Sequence, residues 1–416
     1  MPEPYGRVIN EVDSHIMSSG PSSNRTLVAQ RQLFPALTNK SYFNYGGQGP
    51  LPQTALDTIQ QAQATIQQEG PFSGGINRWI RQEGDLTREK MAQAIGVPKD
   101  AISLSENVTA GCNVPLWGME WQPGDHILLS DCEHPGIVAA VQEICRRFRT
   151  VYTTFSLLDT DDSLAAIEQS LQPQTRLLVI SHLLWNTGQI IPLAEVVRLC
   201  HSHQPQPVWV LVDAAQSVGT LPLNLRETEV DFYAFTGHKW WCGPAGLGGL
   251  YVRPQVRPQI HPTVIGWRSI TVDGEGNPTG WKPSGERFEV ATSDYPLLSG
   301  LRNALDIHAA WGNDRQRYQR ICQLSRRLWE QLSQMPNIRC LLPDPPPSGL
   351  VSFWVLDPQG SPSPNHHKQL VQDLEAQGFL LRTLAYPNCV RACTHYLTLE
   401  SEIDALVDAI ATWKPN

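Results

Sequence analysis

The sequence predicts an α/β protein: a large domain on a seven-stranded, mostly parallel sheet with one antiparallel strand, plus a smaller α/β C-terminal domain. Short apolar runs alternate with helical patterns between Ala101 and Val252, which is how a parallel sheet is covered on both faces. At 416 residues the chain exceeds one ordinary core, and Pro343-Asp344-Pro345-Pro346-Pro347 precedes a second, shorter α/β pattern. The expected organisation is a polar, mobile extension over 1–28 and an N-terminal segment over 29–50 packing near the ligand site. A large domain over 51–300 and a small one over 301–416 follow.

Taken in order, the polar start lacks the apolar core of a secretory leader. Tyr42 to Pro52 is a Gly/Pro-rich loop with three aromatics. Leu56, Ile59, Ala62 and Ile66 then keep helical spacing, and a second helix over 81–95 closes at Gly96. Strands are expected at 101–105, 126–130, 151–156, 177–184, 208–213, 231–235 and 249–252, with helices over 110–117, 136–148, 164–171 and 192–203. The link from Phe235 to Gly249 is too short for a right-handed helical crossover, so the seventh strand should run antiparallel. Residues 253–289, rich in Pro and Gly with Trp267 and Trp281, read as an irregular excursion toward a partner subunit. A helical region over 298–335 leads to the small unit: strand 350–356, helix 366–377, strands 379–384 and 391–398. A last helix carries Ile403, Leu406, Val407 and Ile410 on one face.

Composition removes several classes. A formal net charge of -8 argues against nucleic acid as a partner, and no apolar run is long enough to span a bilayer. Nine cysteines without a C-x-x-C pair give neither a disulfide framework nor a metal site, which fits a reducing, cytoplasmic compartment.

Polar features fall at the predicted strand ends, where open α/β sheets bind ligands. Lys239 follows the strand at 231–235 among Trp240, Trp241 and several glycines; an amine set against apolar surface becomes a usable nucleophile, although a surface lysine in a turn fits the stretch too. Asp213 ends a buried apolar strand, as a partner for a protonated ring nitrogen or as a plain N-cap. Thr109 and Ala110 open a helix that suits a phosphate or an ordinary cap, with Thr236 and His238 as further phosphate contacts. His134 offers a flat ring to stack on an aromatic ligand, or a turn residue before Pro135. Arg391 and Arg382 are bidentate clamps for carboxylates. A lysine, an acid for a ring nitrogen, a phosphate cradle and a carboxylate clamp together describe a pyridoxal 5'-phosphate enzyme acting on an amino acid.

The strings Asp213-Ala214-Ala215-Gln216, Gly237-His238-Lys239 and Glu289-Val290-Ala291-Thr292 resemble the class V aminotransferase family, which includes the cysteine desulfurases. That resemblance implies an aspartate-aminotransferase-type large domain in a homodimer. It implies that Lys239 bears the cofactor and moves the Cα proton, Asp213 holds the ring N–H, Gln216 the ring oxygen, and His134 the ring face. Thr109, Ala110, Thr236 and His238 would hold the phosphate, with Thr292 added from the neighbouring subunit. Arg391 would bind the substrate carboxylate, and Arg382, Tyr45 and Asn186 would lie on the substrate side, Asn186 displaced by about a residue from the family's ring-contacting Asn. Desulfurases carry a catalytic cysteine on a loop ahead of that arginine; between Arg382 and Arg391 there is no room for the loop, and Cys389 has the wrong neighbours. The resemblance is therefore nearest to the cyanobacterial L-cysteine/cystine C–S lyases of the family. These eliminate the β-substituent to give pyruvate, ammonia and cysteine persulfide or sulfide, as a sulfur supply for an iron–sulfur acceptor protein. A desulfurase giving alanine, and an epimerase or aminotransferase, are the alternatives.

Overall fold

Runs that are apolar at successive positions cannot face water on either side. His126–Ser130, Phe232–Thr236 and Gly248–Val252 are buried at every residue, which places them between two helical layers. The computed structural model describes residues 26–160 and 162–415. Its large sheet contains β1 Ile102–Ser105, β2 His126–Ser130, β3 Val151–Phe155, β4 Thr175–Ser181, β5 Trp209–Asp213, β6 Phe232–Thr236 and β7 Gly248–Val252, in the order β1-β7-β6-β5-β4-β2-β3. Strands β2 to β6 pair in parallel, whereas β7 runs against both neighbours, β6 and β1. The short link after β6 thus has the expected consequence.

Alternate residues of these strands feed two cores. Leu128, Leu178, Ile180, Val210, Val212 and Phe235 face one helical layer, and Ile127, Leu129, Leu177, Val179, Leu211 and Phe232 face the other. The small domain has its own core beneath an antiparallel sheet of β8 Ile338–Cys340, β9 Leu350–Val355, β10 Arg382–Ala385 and β11 Asn388–Cys393, ordered β8-β9-β11-β10.

Several expected elements shift, each for a local reason. The helix ending at Ile95 begins at Gly74 because Ser73 caps the Ile76 N–H at 3.2 Å and Ile76 already packs in the core. The region 298–335 breaks into Pro296–Trp311 and Asp314–Leu332 at Gly312, where Asn313 and Gln316 form a capping box. The expected strand 379–384 divides: Phe379–Leu380 pairs with Ser41–Tyr42, while Arg382–Ala385 pairs with β11. The last strand is Asn388–Cys393 rather than 391–398, and the strand expected over 177–184 ends at Ser181. The excursion 253–289 contains a hairpin, Ile270–Val272 with Pro278–Trp281. Of the extension 1–28, residues 1–25 lie outside the described residues, and Thr26 caps a helix, Leu27–Arg31.

One buried acid ties the sheet's far end together. Asp231 is fully buried and accepts from Arg253 Nη2 at 2.6 Å, His201 Nε2 at 2.9 Å and the Val210 N–H at 2.8 Å. Removing it strands a partly exposed arginine and a buried amide. Asp231→Ala should cost about 2 kcal/mol, read as a lower urea midpoint at unchanged m-value.

Candidate active site

Parallel strands end at one edge, and register sets which side chains meet there. Asp213 closes β5 opposite Ser181 of β4 and Ala234 of β6. Strand β6 ends at Thr236, and the turn Gly237-His238-Lys239 follows. β1 ends on the same edge; Asn107 then caps the helix Val108–Gly118, its Oδ1 accepting the Ala110 N–H at 2.9 Å. His134 caps the helix Pro135–Phe148, its Nδ1 accepting the Gly136 N–H at 3.2 Å. Thr109, Ala110, His134, Asp213, Thr236, His238 and Lys239 therefore share one edge of the sheet.

Their charges are close enough to perturb one another. Burial raises the pKa of Asp213, opposed by the Ala215 N–H on Oδ1 at 2.9 Å and then by the charges of Lys239 and His134. Lys239 is half-buried. Burial lowers its amine to about 8; Asp213 opposes this, while Arg391 and Arg382 add to it. Partial burial also lowers the His134 imidazole, with Asp213 working against it and Lys239 and Arg382 with it. Among the described residues neither Lys239 nor Asp213 is in an ion pair.

The small domain supplies the arginines. Arg391 is 1% exposed; its Nη1 donates to the Trp185 carbonyl at 2.7 Å and its Nε has no partner. No carboxylate lies within ion-pair distance of it among the described residues. Arg382 is its register partner across β10 and β11, so both side chains leave the same face, and Arg382 is exposed.

The loop from Tyr42 closes this space with backbone. Gly49 donates its N–H to the His238 carbonyl at 2.8 Å, and a Cβ there would stand 2.1 Å from the Lys239 carbonyl oxygen, so only glycine fits. A Cβ at Gly46 would stand 2.8 Å from Arg391 Nη2. The Gly46 carbonyl accepts from Gln216 Nε2 at 2.9 Å, and Gln216 Oε1 accepts from Trp240 Nε1 at 2.9 Å.

Other expected residues have partners of their own. Thr236 Oγ1 and His238 Nδ1 are joined at 2.6 Å, which leaves His238 Nε2. The Ala110 N–H is taken by Asn107, so the orphan amides of that helix start are those of Val108 and Thr109. Thr292 is exposed and, within the same chain, lines a cavity of about 700 Å³ with Ser105, Glu106 and Ala110. Asn186 is buried, its Oδ1 accepting the Thr187 N–H at 3.0 Å and its Nδ2 3.4 Å from the Tyr386 carbonyl. Tyr45 is buried too: its ring stacks on His395 with centroids 4.3 Å apart, so the loop meets Arg391 through Gly46 rather than through this ring. Sequence reasoning missed Trp185, which holds Arg391 by its carbonyl, donates its Nε1–H to the Cys132 carbonyl at 2.8 Å and meets His134 edge-on at 6.0 Å. In the apolar run Leu183-Leu184-Trp185 it looks like more strand.

Comparison with known proteins places these features in a family. A model described as aminotransferase class-V matches residues 42–401. The cystine C–S lyase C-DES, solved in complex with its reaction product cysteine persulfide, is 49% identical; the match covers 92% of this chain and 100% of that one, with a TM-score of 0.88. Isopenicillin N epimerase of Streptomyces clavuligerus is 29% identical over 91% of this chain and 95% of its own. A cysteine desulfurase of Escherichia coli O127:H6 is 29% identical over 73% of this chain and 75% of its own.

The depressed amine gives a direct expectation. Free Lys239 gains nucleophilic base as pH rises through about 8 instead of the ordinary 10.5. Acylation of the cofactor-free chain, mapped to Lys239 by peptide mass, should be half-maximal near that lower pH. Arg391→Ala removes a positive neighbour and should move the midpoint upward.

Proposed function

The chain belongs to the aminotransferase class-V family, and from that premise we propose that it is a pyridoxal-phosphate-dependent C–S lyase. Its substrate is L-cystine, which with one water gives cysteine persulfide, pyruvate and ammonia. The observation that carries this reading is Arg391, a guanidinium 1% exposed that has, among the described residues, an unpartnered Nε and no carboxylate beside it. Burying such a charge without a counterion costs several kcal/mol, roughly, and a substrate carboxylate offsets that cost. Arg382, opposite it in register and likewise unpaired among the described residues, offers a second carboxylate site. Cystine has two carboxylates; cysteine has one.

The strand edge fits the cofactor. Asp213, buried with no cation in ion-pair distance among the described residues, suits a protonated ring nitrogen, and Lys239 has a nucleophilic amine. Thr109 with the helix start, Thr236 and His238 suit the phosphate. When bound, pyridoxal phosphate supplies an electron sink for the substrate Cα. Arg391 would hold the α-carboxylate and so fix which Cα bond faces Lys239. Lys239 takes the Cα proton, and the Cβ–S bond breaks with its electron pair leaving on sulfur. His134 would cover one ring face, and the backbone of Gly46 to Gly49 would keep water from the Lys239 side. Persulfide leaves more readily than hydrosulfide because its thiol is more acidic.

The nucleophile a desulfurase needs is not presented here. Cys389 lies fully buried in β11, and burial pushes its thiol up to about 12. The small domain therefore favours elimination over transfer to an enzyme cysteine. A homodimer accords with the exposed apolar residues Val264, Ile265 and Trp267, whose segment meets the one that carries Thr292. A persulfide product suits an iron–sulfur acceptor protein. No helix among the described residues is long and apolar enough to cross a membrane.

Arg382→Ala should raise KM for cystine by roughly 10- to 100-fold, the worth of one charge-assisted hydrogen bond, and leave KM for cysteine nearly unchanged. Equal losses on both substrates would remove the second carboxylate site. Cys389→Ser should keep wild-type turnover; its loss would make the chain a desulfurase.

A further inference from the structure

Glu133 is an acid that the chemistry above does not use. It is 5% exposed, and no cation stands within ion-pair distance of it among the described residues. Neutral donors meet it instead: the Ser130 hydroxyl at 2.5 Å and the Ser181 N–H at 2.8 Å on Oε1, and the Ser181 hydroxyl at 2.9 Å on Oε2. A buried carboxylate without a cation is costly, and neutral hydrogen bonds recover only part of that cost. Burial, offset by the Ser130 bond and reinforced by the charge of Asp213, holds the acid at about 7. It is thus only partly ionised at neutral pH, and the shape of its hydrogen bonding is what its surroundings retain.

The position of those donors gives the acid a task. Ser130 ends β2 and Ser181 ends β4, which lie side by side. Ser181 is also the register partner of Asp213. Glu133 therefore pins the corner Asp131-Cys132-Glu133 onto the strand edge one residue before His134. The imidazole itself has little to hold it: an N–H at 3.2 Å and the edge of Trp185 at 6.0 Å, with the ring exposed. Its placement has to come from the chain behind it.

We infer that Glu133 is a positioning residue, whose bridge between the ends of β2 and β4 sets the height and tilt of His134 over the ring that Asp213 and Lys239 hold. The inference rests on the reading that the site takes pyridoxal phosphate. Glu133→Gln preserves the bridge, since its carbonyl oxygen accepts from Ser130 and the Ser181 N–H while its amide donates to the Ser181 hydroxyl. Glu133→Ala removes it.

The test uses the pyridoxal-phosphate-loaded full chain, read by cofactor stoichiometry, visible circular dichroism of the bound cofactor, and kcat and KM on cystine. E133A should bind cofactor fully, lose most of the visible dichroism and up to about 100-fold in kcat, the size of effect a misplacement near 1 Å brings, with KM little changed. E133Q should recover the dichroic band and most of kcat. Unchanged dichroism and kcat in E133A overturn the inference, as does an E133Q that falls as far as E133A. If E133A does not fold, Ser181→Ala, which removes one bond of the bridge, should show the same two losses in smaller measure; wild-type values there overturn it. A wild-type chain that takes up no cofactor overturns the pyridoxal phosphate reading and this inference together, whereas a loaded wild type with unaltered variants sinks the inference alone.

Discussion

Asp213 and Lys239 are held close enough to shift each other's proton affinity, and Arg391 helps to lower that of Lys239, yet none of the three is in an ion pair among the described residues. The backbone enforces that spacing: two strand ends and a turn fix Asp213 and Lys239, while β11 of the small domain brings in Arg391 from the other side. A site of separated, partly desolvated charges has a standing cost. On the proposed function, its complement is a ligand with an anionic group for the arginine and a cationic ring nitrogen for the acid. The amine between them, lowered toward neutrality, is left free to form a bond or carry a proton.

This arrangement needs the two domains to be locked together, because Arg391 lies in one and Lys239 in the other. An aromatic and histidine cluster does this. Tyr45 stacks on His395, Trp240 lies 6.1 Å from both rings, and His308 Nδ1 meets the Tyr396 hydroxyl at 2.7 Å while its Nε2 meets the Trp241 carbonyl at 2.8 Å. Burial lowers the pKa of both histidines, so they act as neutral linkers. Gln216 completes the lock by joining the Gly46 carbonyl to Trp240. The residue after Lys239 is thus wedged between the domains, and the lysine is held by its neighbour.

Much of this was legible in the sequence because it is local. Strand–helix alternation, the short link before β7 and the strand-end placement of Asp213 and Lys239 follow from periodicity and chain length. What was not legible depends on pairing across the chain. Leu381 continues an apolar run yet breaks the strand, because Phe379–Leu380 and Arg382–Ala385 answer to different partners, Ser41–Tyr42 and β11. Tyr45 reads as a loop aromatic, but packing turns it into the domain lock and leaves Gly46 to touch Arg391. Trp185 and Glu133 gain their roles from a carbonyl and two serine hydroxyls, which leave no mark on hydrophobic pattern.

The most direct measurement is product analysis of the purified, pyridoxal-phosphate-loaded chain incubated with L-cystine. β-Elimination by Lys239 without an enzyme cysteine predicts pyruvate and ammonia in equal amounts, together with cysteine persulfide. Alanine in place of pyruvate would contradict the account, since it requires a cysteine nucleophile that the buried Cys389 does not offer.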